Sequence, residues 1–244
     1  MKTLPSRPWI PVFLLTAAIA LANSAVEPEP RSGGWLQRHL EFVTTAHAGN
    51  IDVLFLGDSI TDFWRLKVPN QGGWAVWNRE FAPLHAANFG ISGDRTQHVL
   101  WRLQNGEGDG FKPRVIVLMI GTNNTGFERD KVTPRNTPAE TVEGVTAVVK
   151  ELRQRFPEAK VLLLAIFPRG EKDSPQRAQV NEINQGIAKL HDGKSVRYLD
   201  INAKFLDAEG NIPKDVMPDL LHPSEKGYEI WADAIRKPLQ QLLR

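Results

Sequence analysis

Five short, largely apolar runs, each followed by a segment of helical periodicity, constrain this 244-residue chain more than any other feature. The runs are residues 51–56, 86–89, 115–120, 161–167 and 196–201. Several are rich in Val, Ile and Leu, the composition of strands covered on both faces. Apolar residues at helical spacing occupy 74–81, 96–104, 138–156, 175–191 and 223–243, with Pro223 expected in the first turn of the last helix. Another amphipathic helix is expected over 35–48, where Trp35, Leu36, His39, Leu40, Phe42 and Val43 mark the stripe. Strands alternating with helices imply a parallel sheet with helices on both faces. The expected architecture is a three-layer α/β/α sandwich over residues 35–244, with a five-stranded parallel sheet in the flavodoxin-like order 2-1-3-4-5. With 41% hydrophobic and 24% charged residues and no internal repeat, one domain with a sizeable core accounts for the length.

The N-terminus reads differently. Lys2 and Arg7 precede an apolar stretch, 10–22, that ends in Ala20-Leu21-Ala22. This is the layout of a secretory signal peptide, here residues 1–22. The stretch is short of the ~20 residues a membrane-spanning helix needs, so the expected product is periplasmic or secreted, without a stable membrane anchor. Residues 23–34, rich in Pro and Gly, are expected to form a linker. The chain has no Cys, which excludes disulfides, lipidation and thiolate sites. Its formal charge is +2, and loss of Lys2 and Arg7 would leave it near neutral. Nothing in that balance favours nucleic acid or an anionic membrane as partner. A small or neutral molecule is the substrate type that fits, and no feature sets the oligomeric state.

Polar residues gather just after the apolar runs. Gly57-Asp58-Ser59-Ile60-Thr61 follows the first, Ser92-Gly93-Asp94 the second, and Gly121-Thr122-Asn123-Asn124 the third; Asp219-Leu220-Leu221-His222 precedes the last helix. In an open α/β sheet, ligands bind beyond the carboxyl ends of the strands at the point where strand order reverses. Neighbouring first and third strands would bring Ser59 and Asn123 to one crevice. A serine hydroxyl needs a base, for which His222 is the candidate. The base needs an acceptor on its other nitrogen, which Asp219 can supply. Acyl transfer also needs donors aimed at the developing oxyanion; the Ser59 and Gly93 N–H groups and the Asn123 amide are the candidates.

These blocks, in this order, resemble the SGNH (GDSL-type) hydrolase family over nearly the whole chain after residue 22. The flanking text at 51–61 and 117–124 looks closest to the branch typified by platelet-activating-factor acetylhydrolase catalytic subunits. The resemblance implies a triad of Ser59, Asp219 and His222, an oxyanion hole of Ser59, Gly93 and Asn123, and no metal or cofactor. It implies hydrolysis of carboxylic esters through an acyl-enzyme, with short acyl chains preferred and a small-molecule or carbohydrate ester as substrate.

Other residues take plainer readings. Asp58 is expected to brace its turn, Asn124 to be a turn residue, and His98 to be structural although near the crevice. The Phe63-Trp64 and Trp74–Trp77 pairs are expected in the core. Met217, Leu220 and Leu221 are candidates to line an acyl pocket. Segments 106–110 and 124–136 are candidate mobile loops. Two rival functions use the same residues or abandon them: acyl transfer to sugar hydroxyls, and a non-catalytic carbohydrate-binding module on a hydrolase fold. A module of that kind would be expected to have lost part of the triad.

Overall fold

Alternation along each strand builds two cores, one on either side of the sheet. A computed structural model describes residues 23–68 and 71–244; the expected signal peptide lies outside these. Five strands, β1 (Val53–Gly57), β2 (Ala86–Gly90), β3 (Val115–Met119), β4 (Lys160–Leu164) and β5 (Val196–Leu199), pair in parallel in the order β2-β1-β3-β4-β5. Because successive side chains point to opposite faces, Leu54, Leu56, Ile116, Leu118, Val161 and Leu163 enter one core. Val53, Phe55, Val115, Val117, Leu162 and Leu164 enter the other. The strands are short, and β1 and β3 are buried along their full length.

The first core is closed by α1 (Gly34–Ala48), α4 (Thr96–Arg102), α5 (Pro138–Arg155) and α6 (Pro175–Ile187). The second is closed by α3 (Trp74–Glu80) and α7 (Glu225–Leu242), where Phe81 and Trp231 pack tilted against Phe55, and Trp64 against Tyr228 and Trp231. A single-turn helix, α2 (Ser59–Asp62), follows β1 directly. The N-termini of the long helices are capped as their sequences allow. Thr137 and Glu140 form a reciprocal capping box on α5, and Ser174 caps α6.

Several expectations shift in detail. Pro223 does not begin α7: Ser224 is the cap, its side chain accepting from the Gly227 N–H, and Pro223 lies just outside. In α1 the buried stripe is Trp35, His39, Phe42 and Ala46, whereas Leu36 and Leu40 are 41% and 56% exposed. A helix 3.6 residues per turn cannot turn both sets toward one sheet. The run 161–167 leaves the β4 ladder after Leu164, although Ala165, Ile166 and Phe167 stay buried.

Segment 23–34 is no free linker. Asn23 donates to Glu143 (2.7 Å), Thr96 Oγ1 donates to the buried Ala25 carbonyl (2.7 Å), and the Glu29 N–H donates to the Gln97 carbonyl (3.2 Å). The 124–136 segment is likewise tied down. Its Phe127–Pro134 bridge is closed by Glu128 N–H to Thr133 and Arg135 N–H to Gly126, and Glu128 takes two bonds of 2.6 Å from Arg95. In 106–110, Gly110 packs against the His47 backbone, and Asp109 receives a bond from Arg155.

Candidate active site

The turn from β1 into α2 presents Ser59. Asp58 is the cap of α2, its carboxylate accepting from the Ile60 N–H (3.0 Å), so Ser59 is the first helical residue. Gly57 makes the turn possible. A Cβ there would lie 2.3 Å from Thr61 Oγ1 and 2.4 Å from the Met119 carbonyl, closer than any side chain tolerates. The bracing role expected of Asp58 is present, with a consequence the sequence does not announce. Complete burial, aided by the charge of Asp94 and opposed by the Ile60 bond, pushes the Asp58 carboxyl up to about 7.

His222 comes to Ser59 from the loop before α7. Its Nε2 lies 2.9 Å from Ser59 Oγ, and its Nδ1 lies 2.6 Å from Asp219 Oδ2. An ionised carboxylate can only accept, so Nδ1 carries the proton and the Nε2 lone pair faces the Ser59 hydroxyl. Asp219 also accepts from the Leu221 (3.0 Å) and His222 (2.7 Å) backbone N–H groups, curling the four-residue loop on itself. Partial burial alone would raise the Asp219 carboxyl; the His222 side-chain and backbone bonds outweigh it and hold the group below its ordinary value. Leu220, at the crest of that loop, has φ of 59°, a strained setting for a branched side chain. Its carbonyl accepts from the Gly170 N–H, which helps hold the strained turn.

The donor side lies across the crevice. Gly93 has φ of 82°, in the left-handed region that glycine adopts without penalty. The N–H groups of Ser59 and Gly93 donate to no protein acceptor among the described residues. Asn123 follows β3, and its Nδ2 donates one hydrogen to the Asp94 carbonyl at 2.9 Å, leaving the second available. The strand order puts the β1 and β3 loops side by side, so all five sequence-derived residues gather at the carboxyl ends of β1, β2 and β3. A cleft of about 710 Å³ opens on this donor side, lined by Gly93, Asn123, His98, Arg31, Arg95 and Arg135 among others. Neither Ser59 nor His222 lines it.

Three neighbours take roles that sequence reasoning did not give them. The Phe63 ring stacks on the His222 ring, with centroids 4.7 Å apart and planes 24° apart. Its position four residues after Ser59, one helical turn on, was the available signal. Arg169 donates to the Thr122 carbonyl (2.9 Å), and its charge faces Asp58 and Asp219. Nothing local marks it. Asn124 is buried rather than a simple turn residue, donating to Thr96, Gln97 and Asn136.

Other expectations sort cleanly. His98 accepts from the Arg95 N–H (2.9 Å) at the start of α4, and burial among arginines pulls it down to about 3, so it is neutral in the fold. Trp64 is fully buried and Trp77 packs partly buried against the same core, whereas Trp74 is 41% exposed beneath the Lys67 ammonium. Met217 is fully buried in the α7-side core and cannot line an open acyl pocket; Leu220 and Leu221 pack partly buried on that core.

A hydrolase of the SGNH/GDSL esterase class is what this fold and arrangement define: residues 55–230 match the GDSL-like lipase/acylhydrolase family, and the chain belongs to it. Among its relatives, the chain is 37% identical over 228 residues to human platelet-activating factor acetylhydrolase IB subunit alpha2, covering 93% of this chain and 90% of that protein. Human subunit alpha1 is 35% identical over 227 residues, covering 91% of each. Solved structures share the fold. A GDSL-like lipase from Bacteroides thetaiotaomicron superposes with a TM-score of 0.65 at 17% identity, over 83% of this chain and 97% of that one. An acetylxylan esterase from Geobacillus stearothermophilus does so with 0.61 at 22%, over 80% and 94%.

Proposed function

We propose that the protein hydrolyses carboxylic esters of short acyl groups, acetyl above all, through an acyl-enzyme on Ser59. The observation that carries this reading is the continuous relay from Ser59 Oγ through His222 to Asp219, at 2.9 Å and 2.6 Å. Ser59 Oγ attacks the ester carbonyl while His222 Nε2 takes its proton. The carbonyl oxygen, now an anion, accepts from the Ser59 and Gly93 N–H groups and the free Asn123 amide hydrogen. His222 returns the proton to the departing alcohol. Water then attacks the acyl-Ser59 ester with His222 again as base, and the acid leaves.

The acetyl preference is supported by the names of two similar proteins, an acetylhydrolase subunit and an acetylxylan esterase. The alcohol portion is inferred to be polar, because the cleft beside Gly93 and Asn123 is lined chiefly by charged and hydrogen-bonding side chains. Export is proposed on the layout of Lys2, Arg7 and the 10–22 stretch. N-terminal sequencing of the protein recovered from its native cell should find residues 1–22 removed; an intact Met1 would refute it.

The reading is tested with p-nitrophenyl esters of increasing chain length. Turnover should be greatest for acetate and fall steadily beyond it, and Ser59→Ala should abolish it. A Ser59→Ala variant as active as the parent would defeat the assignment, and a preference for long chains would defeat the acetyl reading alone.

A further inference from the structure

Arg31 reaches the Gly93 turn from segment 23–34. Its Nη1 donates to the Ser92 carbonyl at 3.0 Å and to Asp94 Oδ1 at 2.9 Å, so one nitrogen holds the residues on both sides of Gly93. A Cβ built on Gly93 would lie 3.2 Å from Arg31 Nη2 and 3.4 Å from Nη1, which sets the guanidinium against the bare face of that glycine. Asp94 has a second task. Its backbone carbonyl accepts from Asn123 Nδ2 at 2.9 Å. The residue that Arg31 grips by the carboxylate therefore orients, by its carbonyl, the side-chain donor of the oxyanion hole. Asp94 is fully buried, and Trp35 Nε1 (2.7 Å) and Arg102 Nε (2.9 Å) complete its coordination. The backbone leading to Arg31 is itself docked, through Asn23, Ala25 and Glu29, on α4 and α5.

We propose that Arg31 is a positioning residue for ester cleavage: it holds the Gly93 N–H and, through Asp94, the Asn123 amide in the geometry that receives the oxyanion. This rests on the reading of Ser59, Gly93 and Asn123 given under the proposed function. Segment 23–34 is thereby part of the active site. The physical warrant is that donor placement acts steeply on rate. Losing one oxyanion donor lowers kcat by about 10²–10³, and a displacement of about 1 Å can remove about 10². A guanidinium bridging a carbonyl and a carboxylate on either side of a glycine restrains a turn that has no side chain of its own to restrain it. A lysine at this position would keep the charge beside Asp94 but lacks the planar fork whose second edge lies against Gly93.

The test uses the full-length protein, with Arg31→Ala and Arg31→Lys assayed on p-nitrophenyl acetate. Arg31→Ala should lower kcat by about 10- to 100-fold with KM within about twofold of the parent. Added methylguanidinium should restore several-fold of that loss, a recovery that a merely structural anchor would not give. Arg31→Lys should fall between the two and decides the matter if Arg31→Ala does not fold. In an Asn123→Ala background the Arg31→Ala loss should shrink to a few-fold, because one of the two donors it serves is gone. The proposal is overturned if both variants keep kcat within about twofold of the parent. It is equally overturned if the loss lies in KM, or if it resists methylguanidinium and adds in full to Asn123→Ala. A parent whose turnover survives Ser59→Ala would defeat the underlying reading instead; turnover lost with Ser59 but unaffected by Arg31 would defeat this proposal alone.

Discussion

Each residue of the proposed site brings its own chemistry to the crevice: Ser59 a hydroxyl, His222 a base, Asp219 its acceptor, Gly93 and Asn123 N–H donors. Ser59, Gly93, Asn123, Asp219 and His222 stand after strands or before the last helix, and the sheet order gathers them. Asn123→Ala should lower kcat by about 10²–10³ while leaving the melting temperature nearly unchanged, since only the bond to the Asp94 carbonyl is lost. An effect of less than a few-fold would reduce Asn123 to a turn residue. Asp58 supplies a prediction of a different kind. Its folded-state carboxyl holds a proton up to about 7, whereas the unfolded chain releases it near 3.8. The native state therefore binds more protons in that window, and Asp58 makes the protein progressively less stable as pH rises through it. Asp58→Asn keeps an acceptor for the Ile60 N–H and removes the titration. Its stability relative to the parent should grow by on the order of 2–4 kcal/mol from about pH 4 to about pH 7. A difference independent of pH, measured by urea unfolding, would contradict the burial argument. His98, neutral in the fold down to about 3, acts with the opposite sign below its ordinary value. The difference between variant and parent cancels that contribution.

At the scale of elements, period and punctuation carried most of the fold. Among the described residues the apolar runs mark each strand and the helical stripes each long helix, because burial on a two-faced sheet leaves each signal intact. Boundaries slipped where a local cap competed with pattern, as Ser224 does with Pro223 at the start of α7. The stripe of α1 was misread at Leu36 and Leu40 because apolar type alone does not say which face meets the sheet. The β1–α2 turn makes a sharp test of close approach. Gly57→Ala would drive a methyl into Thr61 Oγ1 and the Met119 carbonyl. It should destabilise the protein by about 1–3 kcal/mol through overpacking and lower kcat as Ser59 shifts with the turn. Unchanged stability and activity would mean that the turn has slack it does not show.

Across the whole molecule, the parts hidden from sequence are those held by pairs far apart in the chain. Segment 23–34 has the composition of a linker, yet its Arg31 meets Asp94 and its Asn23 meets Glu143. Arg169 is another such case, joining the loop after β4 to the turn after β3. No local pattern encodes these contacts, since polar pairing across more than forty residues leaves no period. The same long-range contacts surround the crevice in which Ser59 is proposed to receive the acyl group. The most direct measurement is rapid acid quenching during turnover of p-nitrophenyl acetate, followed by mass analysis of the proteolysed protein. An acetyl group on the peptide containing Ser59, absent from Ser59→Ala, is the predicted result. Turnover with no acetyl group on that peptide, or with the label on another residue, would contradict it.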